Sequence, residues 1–228
     1  MLNHHEVVPV ADTLQTRRSL DTEIRAALEA LPASPWDWAG FDPVVVLADV
    51  TMRPHADLEA FAQSLCAAPT RTAELRGIWN ESMLTAAWAL KLAPHVGADP
   101  GSSAIAGLLH RLGDLLTIRA LARAEHTLGM SIDAAVRQDL CIEHGAEQLE
   151  RAVRAWGVPP RAAAMAAVWR RLREFPSAAA EATAVYLARL FALEWLHPQF
   201  SVPGLADSAA MEAGLTPAQL ASLRATPA

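Results

Sequence analysis

From residue 55 onward, apolar side chains recur at helical spacing, and proline or glycine interrupts them at intervals. That pattern restricts the chain to an all-α fold, because a half-buried strand would alternate with period two. The spacing predicts helices over 55–67, 71–94, 101–124, 132–156, 160–173, 177–197 and 216–225. Breaks fall at Pro69, Pro94 with Gly97, Asp99-Pro100-Gly101, Gly129, Gly157 with Pro159-Pro160, Pro176, and Pro198 to Gly204. Thr216-Pro217-Ala218-Gln219 is a capping-box pattern with proline at the first helical position. The first quarter is less regular. Residues 1–19 are polar and read as loosely ordered, Leu20 to Leu31 as a short helix, and Pro32 to Trp38 as a loop. Asp42 to Val50 suits a strand by β-branching and a buried helix by its proline start and its length; the surrounding pattern favours the helix. The expected organisation is a divergent or shortened N-terminal helical segment (1–54), a helical core (55–200), and a C-terminal extension with a short helix (201–228).

A chain of 228 residues with 52% hydrophobic and 19% charged residues can bury a sizeable core. Its net charge of -6 argues against a dedicated nucleic-acid binder, which would carry a basic face. Cys66 and Cys141 are too few to staple a domain of this size and read as reduced thiols in a cytoplasmic protein. The start, Met1 to Glu6, lacks the layout of a signal peptide. The most apolar stretch, Ser177 to Leu196, carries Glu181, Arg189 and Glu194 at helical spacing. Each such charge would cost a few kcal/mol in a bilayer, so a buried or interface helix is expected rather than a membrane span.

Two helices carry charge among apolar neighbours. In 71–94, Leu75, Ile78, Trp79, Ser82, Ala86, Ala89 and Leu90 form one stripe, and Glu81, Leu84, Thr85, Trp88 and Leu92 form another. A helix apolar on two sides belongs at the centre of a bundle. Glu81 then points inward, and a buried carboxylate needs a partner. In 101–124, Arg111 shares a stripe with Ala104, Gly107, Leu108, Leu115 and Ile118, and His110 lies at its edge near Asp114. Arg111 either snorkels along that stripe to water or forms a buried ion pair with Glu81. His144 shares a mostly polar face with Arg137, Cys141, Gln148 and Arg151, which alone would suit a surface histidine.

In order along the chain, Trp79-Asn80-Glu81-Ser82, Gly107-Leu108-Leu109-His110-Arg111-Leu112-Gly113, Glu143-His144-Gly145-Ala146-Glu147-Gln148-Leu149, and Trp156-Gly157-Val158-Pro159 resemble the HDOD family. That family is related to the HD-type metal-dependent phosphohydrolases. The resemblance covers about residues 75–197, and the last core helix of the family resembles Ala182 to Trp195. It implies an HD-like multi-helix bundle over the 55–200 core. An HD phosphohydrolase would read Trp-x-His-Ser in the first motif and Gly-Leu-Leu-His-Asp-Ile-Gly in the second. Here Glu81 replaces the first histidine and Arg111 the aspartate, while Val168-Trp169-Arg170 occupies the place of a later His-His pair.

An HD enzyme uses its histidines and aspartate to hold a metal that lowers the pKa of a bound water. Glu81, His110 and His144 could formally supply a two-histidine, one-carboxylate set. Arg111 argues against it, since a guanidinium is acceptor-free and permanently charged. At about 5 Å and an effective dielectric near 20, it would repel a divalent ion by roughly 6–7 kcal/mol. Glu81, His110, Arg111, His144, Trp169 and Arg170 are therefore expected to line a vestigial pocket, with no catalytic residue, metal or cofactor. The resemblance implies a non-catalytic domain in bacterial signal transduction. It would act through an unidentified signalling protein partner in trans or as a homodimer, without nucleic acid or membrane. The alternative is a regulator that binds phosphate or a nucleotide through Arg111, Arg170 and Arg171. A residual phosphohydrolase is the third reading.

Overall fold

The protein was analysed as a computed structural model that describes residues 22–27, 29, 30, 56–169 and 180–225. The segments 1–19, 32–38 and 42–50, together with Arg170 and Arg171, lie outside the described residues. The described helices are α1 (Ala56–Cys66), α2 (Thr72–Leu92), α3 (Pro100–Leu109), α4 (Leu112–Leu128), α5 (Ala134–Ala155), α6 (Pro160–Trp169), α7 (Ala180–Leu196), α8 (Leu205–Glu212) and α9 (Pro217–Ala225). A single 3-10 turn, Ala93–Val96, links α2 to the loop before α3. Among the described residues there is no strand, and the fold is all-α.

Local chemistry sets several of the helix ends. The Asp99 carboxylate accepts from Ser102 N at 2.8 Å to start α3, with Pro100 in the first turn. Asp133 accepts from Ala135 N at 2.7 Å to start α5. Before α9, Gln219 Oε1 accepts from Thr216 N at 2.8 Å and Thr216 Oγ1 accepts from Gln219 N at 3.3 Å, the reciprocal pair of a capping box. Gly129, with φ 63°, closes α4 in the left-handed conformation that a side chain would resist.

The helix expected over 101–124 is instead two helices, broken at His110-Arg111. Arg111 has φ -109° and ψ 8°, outside the helical range. The His110 ring reaches Gly107 O at 2.6 Å and competes for the carbonyl that an uninterrupted helix would offer to the Arg111 N–H. The break gives α4 a direction of its own. Gly113 then meets α5 so closely that a Cβ there would stand 1.9 Å from Gly145 O. Gly107 meets α2 in the same manner, its Cβ position lying 2.9 Å from Ala86 Cα. Both glycines of the Gly-Leu-Leu-His-Arg-Leu-Gly turn are thus required by backbone approach.

Helix α2 is central. Leu75, Ile78, Trp79 and Met83 join a core with Phe61 and Leu65 of α1, Leu108 of α3, Leu115 of α4, Leu149 of α5 and Trp156. Leu84, Trp88 and Leu92 join a second core with Val185 and Phe191 of α7, Ala210 of α8 and Leu223 of α9. The T-shaped contact of Phe61 with Trp79 and the stacking of Trp88 on Phe191 anchor the two sides. The helix Leu205–Glu212 falls where no helix was expected; its buried alanines, Ala206, Ala209 and Ala210, are too small to mark a stripe in sequence. A smaller cluster docks Ile24, from the helical residues 22–27, onto Leu121 and Ala124 of α4. Among the described residues, no helix is long and apolar enough to cross a membrane.

Candidate functional site

The carboxylate of Glu81 sits at the waist of α2, between the two cores, and is 5% exposed. Arg111, on the turn between α3 and α4, donates through Nη1 to Glu81 Oε2 at 2.5 Å. Arg189 of α7 donates through Nε to Glu81 Oε1 at 2.9 Å. His110 Nε2 lies 3.9 Å from the same Oε1. Three residues from two segments distant in sequence therefore converge on one side chain. Arg111 also gives its Nε to Asp114 Oδ2 at 3.3 Å, so its charge is shared by two carboxylates.

The electrostatics follow from that arrangement. Burial works to raise the Glu81 pKa. The Arg111 and Arg189 guanidiniums, each hydrogen-bonded to one of its oxygens, overcome it and hold the carboxyl well below the usual carboxylate range. Burial lowers the His110 pKa, against the pull of Glu81, so the imidazole is neutral at pH 7. Its Nδ1–H donates to Gly107 O at 2.6 Å, because a carbonyl is only an acceptor, and this aims Nε2 at Glu81. Burial lowers the Arg111 pKa less than Glu81 and Asp114 raise it, and the guanidinium stays charged.

A metal does not fit this donor set. Both oxygens of Glu81 are engaged by guanidinium hydrogens, and a cation there would face two fixed positive charges. His144, the third member of the formal ligand set, lies on α5 with Nε2 3.9 Å from Glu143 Oε1. Among the described residues, no three His, Cys, Asp or Glu side chains are grouped to hold a metal ion, so the combination Glu81, His110 and His144 does not assemble. Trp169 is the last described residue of α6, and its side chain and Arg170 lie outside the described residues.

Arg111 and Asp114 also face outward. Together with Glu74, Arg137, Cys141 and Ile142 they line an open cavity of about 400 Å³ between α4 and α5. Its two guanidiniums are matched by its two carboxylates. Arg111 contacts Asp114 at 3.3 Å, and Arg137 lies 3.8 Å from Glu74.

Helices on both sides of a central buried carboxylate, with a histidine–arginine turn at its side, make up an all-α domain. The family model for the HDOD domain matches residues 58–171, half of the chain, and the chain belongs to that family. No curated protein and no solved structure matches it significantly.

Sequence reasoning overlooked Arg189 as a partner of Glu81. Its signal was present as a charge within the apolar run from Ser177 to Leu196, where an inward-facing guanidinium needs a carboxylate. A second ion pair was also overlooked. Arg71 grips Glu125 through Nε at 2.7 Å and Nη2 at 2.5 Å, and Glu125 accepts from Ile132 N at 2.7 Å. This pair ties the start of α2 to the end of α4 and the loop after it. Arg71 holds the left-handed conformation, φ 64°, which no sequence rule assigns to an arginine.

Proposed function

We propose that this chain is a non-catalytic HDOD-type signal-transduction domain that acts as a scaffold for protein partners. The observation that carries the reading is the double guanidinium clamp on Glu81, with Arg111 at 2.5 Å and Arg189 at 2.9 Å. In an HD enzyme this is where a cation would activate water. In this chain two internal cations neutralise the carboxylate and tie α2, the α3–α4 turn and α7 together. The reading carries with it a bacterial, cytoplasmic setting and a signalling partner that is neither nucleic acid nor membrane.

Elemental analysis of the purified protein, followed by a phosphodiesterase assay with added manganese, tests it. The expected result is no stoichiometric metal and no turnover above background. Stoichiometric transition metal, or manganese-dependent hydrolysis abolished by His110→Ala, overturns it.

One observation favours a second reading, that of a phosphate- or nucleotide-binding regulator. Arg111 and Arg137 both reach the open cavity beside the clamp. Their charges are already matched by Asp114 and Glu74, which weighs against a strong anion site. Titration calorimetry with inorganic phosphate and with nucleotides separates the two readings. Saturable binding lost in Arg137→Ala would favour the regulator.

A further inference from the structure

Arg119 and Arg123 stand one helical turn apart on α4, and both are partly buried. With Leu116 and Ala120 they line a recess on the opposite flank of α4 from Asp114 and Ile118, and so from the cavity that Arg111 reaches. Ala27 and Ala30 of the N-terminal helical segment and the buried Gln148 of α5 close it. Arg71, Arg111, Arg189 and Arg224 each hold a carboxylate. Among the described residues, Arg119 and Arg123 hold none. The Arg119 Nε is buried and has no hydrogen-bond partner there. Burial lowers the Arg119 pKa, and the Arg123 charge lowers it further.

Such an arrangement works against the fold. Like charges four residues apart on a helix repel, and a buried N–H without an acceptor is costly. The chain has 25 acidic residues against 19 lysines and arginines, yet no described carboxylate is placed here. We infer that Arg119 and Arg123 form a binding site for a dianionic phosphoryl group, carried by free phosphate or by a small phosphomonoester. Guanidinium forks match the oxygens of a phosphate. One dianion cancels both charges, whereas a chloride or a carboxylate leaves one uncancelled. The recess has a volume of about 10 Å³, room for about one oxygen atom. It admits a single phosphoryl oxygen beside Arg119 and keeps the rest of the ligand outside.

The site goes beyond the scaffold reading above and does not rest on it. Bound metal would overturn that reading and leave this one untouched.

Titration calorimetry of the full chain at pH 8, where phosphate is largely dianionic, tests the inference with inorganic phosphate and with AMP. The expected result is one site per chain. Its dissociation constant should rise about tenfold or more in Arg119→Gln and in Arg123→Gln, the scale of one charged hydrogen bond. Tighter binding of AMP names a phosphomonoester as the source, and tighter binding of inorganic phosphate names the free ion; either supports the site. In phosphate-free buffer both variants should keep or raise the Tm, because each removes a repelled charge. Arg154→Gln, at an exposed position on α5, should bind as the wild type does. The absence of saturable binding by both probes overturns the inference. So does an equal response to chloride at matched ionic strength, or binding that survives Arg119→Gln/Arg123→Gln and is lost in Arg137→Ala.

Discussion

The Arg111 guanidinium lies 2.5 Å from Glu81 Oε2, across 30 positions of sequence, at the point where α2 passes the turn between α3 and α4. Sequence left Arg111 with two outcomes, an outward course to water or an inward pair, and the structure has the inward pair. The guanidinium is not sealed from solvent, since its side chain is 25% exposed against 7% for Glu81. It bridges the buried carboxylate and the surface cavity.

Removing one arm of the clamp should cost less than removing both. In Arg111→Ala, Glu81 keeps Arg189 at 2.9 Å, and the expected loss is about 2 kcal/mol, the scale of one charged hydrogen bond. In Arg111→Ala/Arg189→Ala the carboxylate is left buried and without a cation, and the expected loss is about 3–5 kcal/mol. Urea unfolding of the single and double variants measures both. An Arg111→Ala loss under about half a kcal/mol, the scale of an ordinary surface substitution, would show that the pair carries no structural weight.

Acid should weaken the fold in two stages. The folded pKa of His110 lies below the ordinary 6.5, so the unfolded chain takes up a proton that the folded chain refuses as pH falls below that value. The folded pKa of Glu81 lies below the ordinary 4.5, so the stability its clamp contributes is complete above that pH and is lost as pH falls toward the folded value. In both cases the unfolded state binds more protons, and stability falls with pH, by up to about 1.4 kcal/mol per pH unit for each group. Tm measured from pH 7 to pH 4 should fall from near 6.5 downward, and His110→Gln should flatten the upper part of that curve. An equal slope in the variant between pH 6.5 and pH 5 would remove His110 from the account.

Gly113→Ala should be among the most damaging single changes. The added methyl would stand 1.9 Å from Gly145 O, which is backbone and can yield only if α4 and α5 separate. The expected loss is more than about 4 kcal/mol, or no soluble protein. Gly107→Ala, where the nearest atom is Ala86 Cα at 2.9 Å, should cost about 1–3 kcal/mol. Thermal unfolding ranks the two, and the reverse order would contradict the approach distances.

Arg71→Ala should cost about 3 kcal/mol, because Glu125 is nearly fully buried and would keep two neutral hydrogen-bond donors, the Ile132 N–H at 2.7 Å and the Thr70 hydroxyl at 3.5 Å. Arg71→Lys should not restore it, since a single ammonium cannot span both carboxylate oxygens as the fork does. Hydrogen exchange at Ile132 N, the amide that Glu125 holds, reads the pair directly. Unchanged protection there in Arg71→Ala would detach the loop from the ion pair.

The parts of the fold legible in sequence are those governed by neighbours in sequence. The capping box before α9 and the two-sided apolar pattern of α2 both act within a few residues, and their physics is complete in a short window. Glu181, Arg189 and Glu194 stand within α7, Ala180–Leu196, at the helical spacing that the sequence shows. Helix α8 escaped notice because Ala206, Ala209 and Ala210 contribute burial without bulk. The break at His110-Arg111 escaped because it depends on an imidazole competing for a backbone carbonyl and on Gly113 finding Gly145 of another helix.

The sequence by itself determined that Glu81 and Arg111 stand among apolar neighbours, Glu81 on a central helix and Arg111 within a run of helical spacing that the structure breaks at that residue. That placement required both charges to find partners or water. Which partner each found was decided only by the tertiary structure. Arg189 reaches Glu81 across 108 residues, and no local rule spans that distance. His144, which the family motif pointed to, stays on the outer helix with Glu143. Periodicity fixes a side chain's direction from its own helix axis. The crossing of one helix over another, set by close backbone approach at Gly107 and Gly113, decides which of those directions converge.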